Sequence, residues 1–321
     1  MSEEVQATVP KGYLVCGLPH ILLCPEKNPG WQRVREAMEK VAKEIDEINP
    51  DVLLVYSTYW ASVIGHQIQA RETAKWTLVD DIFHGLGSMP YELKFDTELA
   101  NAYNEENKER GLQSRTIDYD GFPIDTGSVV ALQILNPGNK RKAVVVSSNI
   151  YSDRSETIVL AKAGLEALKK QGKTAVALVV SSLSNRLLPK DFDPKTDHIF
   201  SKKDEEWNRK ILEYLELGRV EDISQLSRQI HKEARVQKVN NFKPFWWLAP
   251  LTGSHNKYEG EILAYEAIQG TGAAVVGLTP TDSAALDLEY DEDDPDQFSG
   301  ERNVLSDDQM TEEEYGSKEL S

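Results

Sequence analysis

Six histidines give this chain its widest chemical reach: His20, His66, His84, His198, His231 and His255. Two of them stand where α/β proteins build sites. His20 follows an apolar run at 13–18, and His66 follows a second run, VLLVY at 52–56, and its loop. Loops beyond the carboxyl ends of parallel strands carry ligands and catalysis in such folds. The chemistry open to these residues is metal ligation, because two imidazoles and one carboxylate make the open face that holds non-haem iron(II). His255, Glu259 or Glu261, in a late loop, could complete such a set. The competing reading makes His20 and His66 polar groups at turns, and no spacing rule favours the metal. Other chemistries find less support. Gly270, Thr271 and Gly272 precede a strand rather than opening a helix, so they do not form a phosphate cradle. No serine sits in a nucleophile-elbow pattern. Cys16 and Cys24 are too few for a disulfide framework or zinc spacing, and Cys16 reads as a buried thiol.

Alternating strands and helices must position these residues. Residues 31–48 predict a helix, since Trp31, Val34, Met38, Val41, Ile45 and Ile48 form one apolar stripe. Residues 52–56 predict a strand buried on both faces. Further strands are expected at 92–95, 115–119, 143–147 and 174–182. Helices are expected from Asp96 or Thr97 to Gly111, and at 127–135, 155–170, 204–217 and 223–235. A tryptophan-rich segment at 245–251 and strands at 262–267 and 273–278 end the body. Strand, crossover helix and strand in succession imply a single α/β domain with a central, mostly parallel sheet flanked by helices. The expected limits are a flexible N-terminus at 1–10, the domain at 11–279, and a disordered acidic tail at 280–321.

The net charge is −17 over 321 residues, but residues 281–321 hold 15 acids against 2 bases, leaving the rest near neutral. No basic stripe exists for nucleic acid. The apolar runs are too short to cross a bilayer, and the N-terminus lacks a basic-then-apolar leader. A cytoplasmic location fits.

Five stretches then carry a family resemblance: PDVLLVYST at 50–58, GFPIDTG at 121–127, WNR at 207–209, KEARV at 232–236 and GTGAAV at 270–275. In this order, and over residues 13–278, the chain resembles the aminophenol ring-cleavage dioxygenases, a branch of the class III extradiol family. The resemblance implies two related chains. The iron-bearing one takes ligands from a Pro-His after the first strand, a Ser-Pro-His-Trp after the second and a Glu before the late tryptophans, with a proton-moving His in Leu-Ser-His. At the matching positions this chain has Gly17, Tyr59, Gln237 and Asn185. Gly, neutral Tyr and Gln do not replace two imidazoles and an anion around iron(II). The resemblance is therefore to the iron-free subunit, with no cofactor in this chain, Fe(II) in the partner, and an iron-bearing paralogue as that partner. Trp60, Trp76, Trp246 and Trp247 are candidates for the shared interface, with core packing the alternative. Two other functions stay open: a self-sufficient enzyme with a rebuilt metal site on His20 and His66, and a repurposed binding or scaffold protein.

Overall fold

An eight-stranded sheet runs through the molecule, and its centre is made of the segments that can be buried on both faces. The computed structural model describes residues 8–189, 191–219, 242–252 and 257–282. The strands are β1 (Lys11–Val15), β2 (Val52–Ser62), β3 (His66–Gln69), β4 (Thr73–Val79), β5 (Ser88–Lys94), β6 (Ser114–Ile117), β7 (Lys142–Asn149), β8 (Ala175–Val180), β9 (Tyr258–Ile268) and β10 (Thr271–Pro280). The sheet order is β6-β3-β7-β2-β8-β1-β10-β9. The four central strands β7, β2, β8 and β1 are mutually parallel, whereas β3 and β10 flank them antiparallel. Strands β4 and β5 form a separate hairpin. The expected strand at 92–95 is thus the end of a hairpin strand outside the main sheet.

Burial on both faces explains the unbroken apolar runs. Along β2, Val52, Leu54 and Tyr56 join one core, and Leu53 and Val55 join the other. The first core lies under α3 (Thr97–Glu109), α5 (Arg154–Gln171), α6 (Lys202–Glu216) and α7 (Lys243–Thr252). The second lies under α2 (Pro29–Ile48) and α4 (Thr126–Leu135), with the short α1 (His20–Leu23) at its edge. Trp31, Val34, Met38, Val41 and Ile45 of α2 are buried as their spacing predicts, and Asn28 caps the helix by accepting from Gly30 N. Helix α5 stops at Gly172, whose φ of 62° is the left-handed conformation glycine adopts without penalty.

Three expectations shift. Val9 is already buried and Thr8 O accepts from Ala175 N, so packing begins ahead of β1. Strands β3 and β4 were not expected, because His66–Gln69 and Thr73–Val79 lack a continuous apolar run. The tryptophan-rich segment is helix α7, where Trp247 is fully buried and stacks on Tyr56 at 5.4 Å. The expected helix at 223–235 and the acidic tail beyond 282 lie outside the described residues. No helix among the described residues is long and apolar enough to cross a membrane.

Candidate functional site

Strand β2 is longer than its apolar run, and the extra length creates the site. Parallel pairing with β7 is regular up to Ser57↔Ser147 and resumes at Ala61↔Ser148. Thr58, Tyr59 and Trp60 therefore have no counterpart on β7. Extra residues on one strand kink it and re-aim its side chains. Here the bulge fixes Thr58 to β8, through Thr58 Oγ1 to Val180 O at 3.1 Å and to Ser181 Oγ at 3.0 Å. It also sends the Tyr59 ring across the carboxyl end of β1 toward α4.

That ring lies against two glycines. A Cβ on Gly17 would stand 2.7 Å from Tyr59 Cε2, 2.6 Å from Val180 Cγ1 and 2.7 Å from the Cα of Gly127. A Cβ on Gly127 would meet Tyr59 Cγ at 2.6 Å. The end of β1 and the first turn of α4 thus approach backbone to backbone, with the phenol ring filling the remaining space. Burial, then the nearby Cys16, Asp80 and Asp125, hold the Tyr59 hydroxyl well above its usual pKa, so it stays a neutral phenol. Burial likewise pushes the Cys16 thiol up to about 12.

Two carboxylates border the ring. Asp125 caps α4: its Oδ1 accepts from Ser128 N at 2.9 Å and Ser57 Oγ at 2.7 Å, while its buried Oδ2 has no hydrogen-bond partner. Burial raises the Asp125 pKa. Asp80 Oδ2 accepts from Thr126 Oγ1 at 2.6 Å, and its Oδ1 accepts from the amides of Ile82 and Phe83. Asn185 is half-buried on the segment after β8, beside Ser184, whose Oγ receives Gly272 N and Asn208 Nδ2. Asp80, Asp125 and Ser57 were not singled out in the sequence. An Asp two residues before a glycine, at a helix start, was the available signal for Asp125.

The histidines do not converge. His20 opens α1 and is buried between Trp31 and Phe83, with ring centroids at 4.8 and 4.6 Å, and its Nε2 meets Gln269 Oε1 at 3.0 Å. His66 begins β3, and strands β8, β2 and β7 lie between β1 and β3. Four strand spacings put those strands roughly 19 Å apart. Burial lowers the pKa of both, each to about 4. His84 and His198 are exposed, as is Glu259, and Glu261 pairs with Lys40 at 3.1 Å. Gln237, His231 and His255 lie outside the described residues. Among the described residues, no group of three His, Cys, Asp or Glu side chains is arranged to hold a metal ion. Of the four tryptophans proposed for an interface, Trp246 and Trp247 are core, Trp60 is half-buried against Phe122 at 5.6 Å, and Trp76 is 61% exposed on β4.

With a bulged second strand meeting the first strand and a capped helix at the carboxyl end of the sheet, comparison with known proteins becomes decisive. Residues 16–276 match the family described as the catalytic LigB subunit of aromatic ring-opening dioxygenase. The chain belongs to that family. It is 33% identical over 270 residues to the 2-aminophenol 1,6-dioxygenase alpha subunit of Pseudomonas sp, covering 84% of this chain and 98% of that one. It is 32% identical over 263 residues to the corresponding beta subunit, covering 78% and 85%. An uncharacterized protein of Escherichia coli K12 shares the fold at a TM-score of 0.57 and 12% identity, over 83% of this chain and 98% of that one. Gly17 and Tyr59 are the two described positions that the resemblance matches to iron ligands. Position 17 has neither a donor nor room for one, and position 59 offers a neutral phenol. These residues do not fit an iron(II) site, which needs imidazole and carboxylate donors.

Proposed function

We propose that this chain is the iron-free subunit of a two-chain ring-cleavage dioxygenase in the cytoplasm. Its partner is an iron-bearing paralogue that opens the ring of an aminophenol or catechol. The observation that supports this reading is the packing of Tyr59 over Gly17 and Gly127, which leaves no place for an imidazole at position 17. The similarity to both an alpha and a beta subunit supports a paralogous pair. Within this reading the chain stabilises the partner and takes no part in the bond-making steps. Trp76, on the hairpin and mostly exposed, is available to such a contact. Gln237 and Asn185 complete the set of altered positions.

Co-expression with a paralogue that carries all the ligand motifs tests the proposal. The expected result is a stable pair whose iron and ring-opening activity depend on the paralogue's ligands. A lone chain that holds stoichiometric iron and turns over 2-aminophenol would sink it. So would a lone monomer that ignores the paralogue.

A further inference from the structure

The hairpin of β4 and β5 has one covered edge and one open edge. Phe95 N donates to Glu72 O at 2.9 Å, which fixes the phase of the ladder. Residues 74, 76 and 78 therefore bond to β5, and the amides and carbonyls of Thr73, Lys75, Thr77 and Val79 point away from it. On the far side of β5 the outward carbonyls are taken. Gln133 Nε2 donates to Pro90 O at 2.8 Å, and Asn139 Nδ2 donates to Glu92 O at 2.6 Å. Among the described residues, no hydrogen bond reaches the outward backbone of β4, and its four outward residues are all exposed. Such an edge is a template for another strand. The side chains repeat the asymmetry. Ala74, Met89, Tyr91 and Leu93 turn into the second core, and Leu78 packs at its margin. Trp76 lies on the same face of β4 as Ala74 and Leu78, yet it is 61% exposed. An open hollow lined by Lys75, Trp76, Thr77, Pro90, Tyr91 and Glu92 crosses the middle of the hairpin.

We propose that β4 is the edge by which two copies of this chain join, each β4 pairing antiparallel with the other about a twofold axis at Trp76. Self-complementarity picks out a copy as the occupant. Trp76 is the midpoint of the seven-residue strand, so this register pairs the strand over its whole length. Thr73 meets Val79 of the copy and Lys75 meets Thr77, in both directions, which gives about eight backbone hydrogen bonds. The two Trp76 rings face each other at a non-hydrogen-bonded position, where cross-strand side chains come closest and aromatic pairs stabilise. Lys75 is the kind of charge that guards a free edge. Here it guards against one register only. Pairing centred on Lys75 would set that residue against itself, whereas pairing centred on Trp76 sets it against Thr77. The contact goes beyond the iron-free reading and does not rest on it. Trp76 then joins two copies of this chain, and the paralogue binds elsewhere.

The test is sedimentation of the full chain over a range of concentrations, with thermal melting of dilute samples to show that each variant keeps its fold. Wild type is expected to form a dimer with a dissociation constant in the micromolar range, as a small interface allows. Trp76→Ala is expected to weaken it about tenfold or more. Thr77→Lys sets two like-charge pairs across the axis and should weaken it roughly tenfold. Thr77→Glu sets two opposite-charge pairs there and should tighten it several-fold at low salt. A chain that stays monomeric at every concentration reached would overturn the proposal. So would a dimer that none of the three substitutions alters, because another surface then joins the copies. Weakening by Thr77→Glu would overturn the register about Trp76, and the pairing with it. A mixed pair with the paralogue that Trp76→Ala weakens, while self-association is unchanged, would assign the edge to the paralogue and overturn the proposal too. None of these outcomes touches the iron-free reading, which fails separately if the lone wild-type chain holds iron and opens a ring.

Discussion

His20 and His66 are neutral in the folded protein because burial penalises their charged forms, and each has its pKa lowered to about 4. In the unfolded chain an imidazole titrates near 6.5. Between pH 6.5 and 4 the unfolded state therefore binds protons that the folded state refuses. Stability is full above pH 6.5 and falls as pH drops through this window, by on the order of 3 kcal/mol for each histidine at the lower end. Urea unfolding from pH 7 to pH 4 should show this loss, and His20→Gln should remove about half of the histidine share. A His20→Gln profile as steep as wild type would mean that His20 contributes nothing to the acid loss. The sequence located His20 correctly at the end of the first strand. Its hydrogen-bond partner, Gln269, could not be read there, because it lies 249 residues away in the turn between β9 and β10. Tyr59 was legible only through family resemblance. The two glycines it packs on were invisible as a pair, since nothing local to either one announces the other.

At the scale of elements, α4 shows what a buried cap contributes. Asp125 starts the helix with a carboxylate that burial disfavours, yet its Oδ1 satisfies both Ser128 N and Ser57 Oγ. Asn offers the same acceptor oxygen without the charge. Asp125→Asn should thus keep stability near that of wild type, whereas Asp125→Ala should cost about 1–2 kcal/mol through the lost cap. Urea midpoints at pH 7 separate the two, and equal losses would mean that the charge itself matters. The helices that bear stripes or caps, α2 and α5 above all, were readable because their signals are local. Strand β2 was readable only to Tyr56. Past that point hydroxyl residues replace the apolar run, and the continuation to Ser62 is decided by pairing with β7 and by Thr58 binding β8. The hairpin of β4 and β5 escaped for a related reason. Met89, Tyr91 and Leu93 alternate into the core, but β4 exposes Lys75, Trp76 and Thr77, so its sequence carries no clear period.

At the scale of the whole molecule, the excess of acids is concentrated at the end of the sequence, beyond the last described strand. The family match ends at residue 276 and β10 ends at Pro280, whereas residues 281–321 hold 15 of the acids. The alpha-subunit relative is covered over 98% of its length by 84% of this chain. A chain ended after Asp282 should melt within a degree or two of full length, because the described residues of both cores all lie ahead of that point. It should also still pair with the proposed iron-bearing paralogue. The decisive count is then metal per pair. Position 17 lacks a donor and position 59 holds a protonated phenol, so two chains together should carry one iron, not two. Metal analysis of the purified pair, with and without residues 283–321, gives that ratio directly. A ratio of two irons per pair would place an ion on this chain, and the packing of Tyr59 on Gly17 would then have to open to admit it.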